Sequence, residues 1–289
     1  MKRVILFVLT NIAVVLTISI LLSILSATGI LPLHPGTIQG LMVLCFVWGM
    51  AGSFISLLLS RFMAKQMLGV KLIDGRTGNA DLDRLHNTIQ NLAQQAGLPM
   101  PEVGIYESPE VNAFATGPSR NRSLVAVSTG LLRQMGQSEV QGVLGHEIAH
   151  IKNGDMVTMA LLQGVINAFV MFFARIIASL LFRGDDGDRH PGFLYYLTVS
   201  VIQIALSLLG ALVVCWFSRE REFRADAGGA ALAGRGSMVA ALRRLLSTQQ
   251  LVDNSQPALT TMKIAGGPMA LFSTHPPLEV RIARLEGRA

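Results

Sequence analysis

The sequence predicts an α+β chain, mainly helical, in which a polar domain with a small sheet is built onto a bundle of four membrane-crossing helices. Three observations predict it: four apolar blocks are long enough to cross a bilayer, the polar stretches around them alternate helical and strand periodicity, and "HEIAH" falls inside a helix with its own end signals. The 289 residues are 51% hydrophobic and only 15% charged, against about 25% charged for a soluble domain.

Residues 4–27 and 37–60 contain no charged side chain, and roughly 20 apolar residues are enough to span a bilayer core. A cleaved signal peptide does not account for the first block, because its run exceeds a signal core of roughly 7–15 residues. A second block also follows at once. Residues 156–182, which include Arg175, and the uncharged residues 192–217 form the third and fourth blocks. Helices buried within the protein are the alternative for these two, since a charge at a span's centre costs about 2.5–3.5 kcal/mol.

Lys2 and Arg3 precede the first block, Arg61, Lys65 and Lys71 follow the second, and the link "TGILPLHP" has no Lys or Arg. The positive-inside rule then places both ends of this hairpin in the cytoplasm. With four spans, residues 61–155 and 218–289 share that side. The chain accordingly divides into an N-terminal hairpin (1–60), the first part of a cytoplasmic catalytic domain (61–155), a second apolar pair (156–217) and the remainder of the catalytic domain (218–289).

The net charge of +6 is concentrated beside the spans, where it meets anionic lipid. There is no aromatic–basic interleaving and no glycine-rich phosphate loop, so the lipid bilayer, not nucleic acid, is the expected partner. Cys45 and Cys215 each lie inside an apolar block, which argues against a disulfide framework or a thiolate metal site.

In the polar regions, residues 79–97 place Leu82, Leu85, Ile89, Leu92 and Ala96 on one stripe of an amphipathic helix that ends at Gly97. His86 lies off that stripe and is expected to be exposed. Residues 102–108, 112–117 and 123–132 are short, β-branched or alternating, and separated by Pro, Gly and Asn, which predicts a small sheet. Next comes "SEVQGVLGHEIAHIKNGD". Ser138 with Gln141 has capping-box spacing, Asn153-Gly154 supplies a C-terminal stop, and Val140, Val143, Leu144 and Ile151 recur at helical spacing.

Residues four apart on a helix share a face, so His146 and His150 can offer two imidazole nitrogens to one metal ion. Glu147 is rotated about 100° from His146. It can flank the metal without ligating it and take a proton from the water that a catalytic zinc would polarise. This is the H-E-x-x-H arrangement of zinc peptidases, and it predicts one Zn2+ per chain. A third ligand is needed. Glu222 and Asp226, directly after the fourth block, are one turn apart, so one can bind the metal while the other supports it. Glu220 would face about 200° away from Glu222.

"HEIAH" with "NGD" after it, "EFRAD" beyond two hydrophobic segments, "NAFATG" before the His helix and "THPPLEVRI" near the C-terminus together resemble the HtpX proteases. These are bacterial membrane zinc metallopeptidases related to the CAAX prenyl endopeptidases, and the likeness covers nearly the whole chain. It implies a zincin-like catalytic domain in which His146, His150 and Glu222 bind zinc, Glu147 is the general base and Asp226 supports the ligands. It implies that Asn112, Ala113 and Phe114 lie on an edge strand that a peptide substrate joins. It also implies that His275 stabilises the oxyanion with Arg281 in support. The expected setting is the bacterial inner membrane, with misfolded or damaged membrane proteins as substrates in stress-linked quality control. A processing peptidase dedicated to one substrate, and a membrane scaffold with a structural zinc, are the alternatives; in the scaffold Glu147 would have no task. The stretch 253–272, with Gly, Pro and Met but no periodicity, reads equally as a lid or as a long connection.

Overall fold

The computed structural model describes residues 37–182, 192–255 and 273–288, without the side chains of residues 249–255. The first apolar block, the link at 183–191 and most of the stretch 253–272 lie outside the described residues. In order, the elements are α1 (Ile38–Leu68), β1 (Lys71–Ile73), α2 (Ala80–Gln95), β2 (Glu102–Tyr106), β3 (Ala113–Ser119), β4 (Arg122–Ser128), α3 (Thr129–Gln134), α4 (Gln137–Asn153), α5 (Asp155–Leu181), α6 (Phe193–Ala233), α7 (Arg235–Ser255) and α8 (Leu278–Leu285). They fall into two compact units. One takes the chain up to Ser56 with Met159–Val214, and the other takes Leu57–Thr158 and Cys215 to the end.

The described residues of the first unit are helical. Among the described residues, α1, α5 and α6 are the three helices long and apolar enough to cross a membrane. Large apolar side chains such as Phe46, Phe169 and Leu208 stand exposed on it, as lipid-facing residues do. Within the unit α1 and α5 meet at small residues: a Cβ on Gly49 would come within 2.6 Å of the Ala168 backbone nitrogen. Arg175, the one charge in its block, donates from Nη1 to its own helix at the Met171 carbonyl (3.0 Å) and lies 4.0 Å from Cys45 Sγ.

The second unit holds a four-stranded mixed sheet of order β1-β2-β4-β3. β2 and β4 are parallel neighbours; β1 joins β2 and β3 joins β4 antiparallel. β4 is central and buried along nearly its whole length, whereas β3 is half-buried and lies at the sheet's edge. β1 has no counterpart among the expected strands: three residues, "KLI", are too short to show a period. α4 packs against β3 and β4, and its residues Leu144, Ile148 and Ile151 close the core over Val125 and Val127, with Ile89 and Leu92 of α2.

α2 begins at Asn79, whose side chain accepts from the Asp81 and Leu82 amides, and it ends before Gly97 in the left-handed region (φ 70°). His86, expected to be exposed, is half-buried, because the turn at Gly75 brings its backbone against the ring. The N-terminus of α4 also differs from expectation. It starts at Gly136, and Glu139 Oε2 accepts the Gly136 amide at 2.8 Å. Ser138 instead meets Ser237 at 3.0 Å. Gly154 (φ 72°) ends the helix as expected.

α6 runs 41 residues without a break, about 60 Å at helical rise. The fourth apolar block and "SREREFRADAGGAALA" are therefore one helix. Its last turns lie tight against α4. A Cβ on Gly145 would come 2.9 Å from Ala233 Cβ, one on Gly228 2.7 Å from Ala149 Cβ, and one on Gly229 2.9 Å from the His146 nitrogen. Backbone is what a side chain at Gly229 would meet, so the strain cannot be relieved by a rotamer change. Gly229→Val is expected to destabilise the protein by about 1–3 kcal/mol, the usual cost of overpacking, read as a lowered midpoint of thermal unfolding. An unchanged midpoint would show that α4 and α6 are free to part here.

Candidate metal centre

α4 brings His146 and His150 to one face, and α6 brings Glu222 and Asp226 to the facing side. The separations are short. His146 Nε2 lies 3.4 Å from Glu222 Oε2, His150 Nε2 lies 3.3 Å from Glu222 Oε1, and the two Nε2 atoms are 3.0 Å apart. One ligand atom from each of the three residues falls within 4.8 Å of the others.

What stands behind each ring decides what these atoms can do. His146 Nδ1 is 3.0 Å from Asp226 Oδ1, and His150 Nδ1 is 2.6 Å from Asp155 Oδ2. A carboxylate accepts only, so when the imidazoles are neutral with the hydrogen on Nδ1, toward Asp226 and Asp155, each Nε2 presents its lone pair to the other ring and to Glu222. Two lone pairs then point at each other and at a carboxylate that is 0% exposed, both of whose oxygens lack a hydrogen-bond partner. Three acceptors facing one another in a dry site repel unless a cation lies among them. The donor set therefore fits a metal ion, held by two imidazoles and one carboxylate.

The field of the site favours positive charge as well. Burial works to lower the His150 pKa, but hydrogen bonds to Asp155 and Glu222 outweigh it and raise the value to about 9. His146 is likewise raised: burial opposes the charge and is outweighed by Asp226 and Glu222. Glu147, half-buried beside His146, adds its negative charge to the field at both rings.

Behind His146 and Glu222, Arg281 donates to Asp226 through Nε (2.8 Å) and Nη2 (2.6 Å), and its Nη1 lies 3.4 Å from Glu222 Oε2. This is the bidentate pairing for which a guanidinium is shaped. His275 Nδ1 lies 3.0 Å from the same Glu222 oxygen, with its side chain 61% exposed. The structure thus brings His146, Glu147, His150, Glu222, Asp226, His275 and Arg281 together. Glu220, the competing carboxylate, is exposed. Asn112, Ala113 and Phe114 lie at the start of the edge strand. The Asn112 amide donates to Ser128 Oγ, its carbonyl accepts from the Ser128 amide, and Phe114 packs on Tyr106. Asp155 is the partner that sequence reasoning missed. It is the first residue of α5, brought back to His150 by the left-handed turn at Gly154; the acidic residue of "NGD" was its only signal.

The signature of Peptidase family M48 matches residues 79–289. The chain belongs to this family. Over their full lengths it is 50% identical to Protease HtpX of Idiomarina loihiensis (100% of each chain), and 50% identical to the Protease HtpX homolog of Bacillus subtilis strain 168 (99% of each). In fold it is similar to Ste24p of S. mikatae, with a TM-score of 0.59 at 19% identity, covering 96% of this chain; it spans 65% of that longer one. As an M48 peptidase of the HtpX kind, the chain is a multi-pass membrane metalloprotease, with the bilayer and protein substrates as its partners.

Two substitutions separate the carboxylates of this M48 centre. Glu222→Ala is expected to lose the bound metal, measured by metal analysis of the purified protein, while Glu220→Ala retains it. Equal retention would overturn the ligand assignment. Asp155→Ala is expected to weaken metal affinity about 10–100-fold, as loss of a carboxylate behind a metal-binding histidine usually does; unchanged affinity would deny it that role.

Proposed function

We propose that the chain is a zinc-dependent endopeptidase of the bacterial inner membrane, with its catalytic domain facing the cytoplasm, that hydrolyses peptide bonds of misfolded or damaged membrane proteins. The observation that carries the reading is the convergence of His146 Nε2, His150 Nε2 and the buried Glu222 carboxylate on one point. Zinc suits this set, since catalytic zinc sites typically take three nitrogen or carboxylate ligands and keep one position open. Bound there, the ion would supply Lewis acidity and lower the pKa of a water molecule.

The chain's own residues do the rest. Glu147, one residue past His146 and half-buried, takes a proton from the attacking water and returns it to the departing amine. Asp155 and Asp226 hold the two rings in the tautomer that turns Nε2 inward. His275, largely exposed beside Glu222, is placed to donate to the oxyanion that forms as the carbonyl is attacked. Arg281 is buried with its donors engaged by Asp226 and close to Glu222, so it acts by fixing those carboxylates. β3 offers a free edge beside α4, and a substrate strand would add there from Asn112 through Phe114.

Strand addition uses main-chain hydrogen bonds and so tolerates varied sequences, which suits substrates defined by being unfolded. Basic residues after the second apolar block, including Arg61 and Lys65, support the cytoplasmic orientation. Four spans follow if the first apolar block also crosses.

The test uses the full chain in detergent, loaded with zinc and given an unfolded membrane-protein substrate. Wild type is expected to cleave it, and a chelator to stop cleavage. Glu147→Ala should lower the rate at least about 100-fold while keeping its zinc. Cleavage that persists in Glu147→Ala would overturn the assignment of the base. Cleavage of a single substrate and no other unfolded protein would point to a dedicated processing peptidase.

A further inference from the structure

β4 ends at Ser128, which is 0% exposed and caps the N-terminus of α3, its Oγ accepting the Leu131 amide at 3.0 Å. The same oxygen accepts the Asn112 amide (3.1 Å) and donates to the Glu110 carbonyl (2.6 Å). A hydroxyl has one hydrogen and two lone pairs, so all three capacities of this one are in use. The Ser128 amide donates in turn to the Asn112 carbonyl (2.9 Å). Both main-chain groups of Asn112 are thus held by one buried residue. The first half of the loop between β2 and β3 is held elsewhere: the Gly130 amide donates to the Ser108 carbonyl (2.8 Å) and Gln134 Nε2 to the Pro109 carbonyl (3.0 Å). Ser128 holds the second half, at Glu110 and Asn112 on either side of Val111.

That hold decides what β3 presents at its edge. In an antiparallel pair, residues whose main-chain groups bond to the partner strand alternate with residues whose groups point away. Asn112 bonds to Ser128, and Ala113 and Ala115 stand opposite Val127 and Val125. The N–H and C=O of Phe114 and Thr116 then bond to β4, and those of Ala113 and Ala115 point to the open side, where the sheet has no further strand. We propose that Ser128 is a positioning residue for the substrate: by holding both main-chain groups of Asn112, it keeps Ala113 and Ala115 aligned to receive a peptide strand. The inference rests on the strand addition proposed above. A strand that is already ordered binds without the cost of ordering it. The hydroxyl therefore acts on binding, and none of its partners is a metal-ligating residue.

The test uses full-length, zinc-loaded protein in detergent and a fluorescent peptide cut from an unfolded membrane protein around a bond that the wild type cleaves. Ser128→Ala is expected to raise KM about tenfold, the loss of one buried hydrogen bond, with kcat and bound metal unchanged. Peptide affinity on the Glu147→Ala background, measured by fluorescence anisotropy, should fall by the same factor. Ser128→Thr, which keeps the hydroxyl, should restore both. A purely structural role would lower the thermal midpoint and the active fraction but leave KM where it was. If Ser128→Ala does not fold, Ser128→Cys fills the same space with a weakly hydrogen-bonding group and carries the same expectation. Ala115→Pro tests strand addition itself, since it removes one outward N–H and leaves the bonds to β4 intact. Weaker peptide binding in Ala115→Pro, with KM and affinity unchanged in Ser128→Ala, would overturn the role of Ser128 alone. Unchanged affinity in Ala115→Pro would overturn strand addition at β3 and, with it, this inference.

Discussion

The centre depends on a carboxylate held where water does not reach it. Glu222 is 0% exposed, and the Nε2 atoms of His146 and His150, His275 Nδ1 and Arg281 Nη1 lie 3.0–3.4 Å from its carboxylate. A buried carboxylate costs several kcal/mol unless positive charge lies against it, and the surrounding structure gathers cationic and imidazole groups around this one. Arg281 is paired with Asp226 and also approaches Glu222, Asp226 lies against His146, and Asp155 lies against His150, so the histidines and the carboxylate are each held from behind. The contact between α4 and α6 makes the arrangement possible: without Gly145, Gly228 and Gly229 the two helices would stand farther apart than an imidazole and a carboxylate can bridge.

The parts of this design that obey helical periodicity were legible in the sequence. His146 and His150 follow from i, i+4 spacing, and Glu222 separates from Glu220 because two residues turn a helix by about 200°. Parts that depend on a change of chain direction were not legible. Asp155 reaches His150 because Gly154 takes a left-handed conformation, and no spacing rule says where the next helix then points. The same limit hid the depth of His86, which the Gly75 turn covers.

Local end signals were a weaker guide than periodicity. Ser138 and Gln141 have capping-box spacing, yet α4 begins two residues earlier, where Glu139 reaches the Gly136 amide and Ser138 is drawn to Ser237. A side chain that can cap a helix will bond across to a neighbouring helix when packing brings one close. The three longer strands were visible through their β-branched pattern, and β1 was too short to show one. The continuity of α6 escaped notice because composition changes abruptly at Ser218 while the backbone does not.

His146 and Glu222 lie more than seventy residues apart in the chain. A metal ion held between them, as proposed, would act as a cross-link as well as a catalyst. Closing a loop of that length removes about 4 kcal/mol of chain entropy from the unfolded state by the disulfide analogy, in a protein neither of whose two cysteines is in a disulfide. Loss of the ion would both silence the peptidase and unfasten the two helices that define its cleft, so inactivation and loosening of the fold would be a single event.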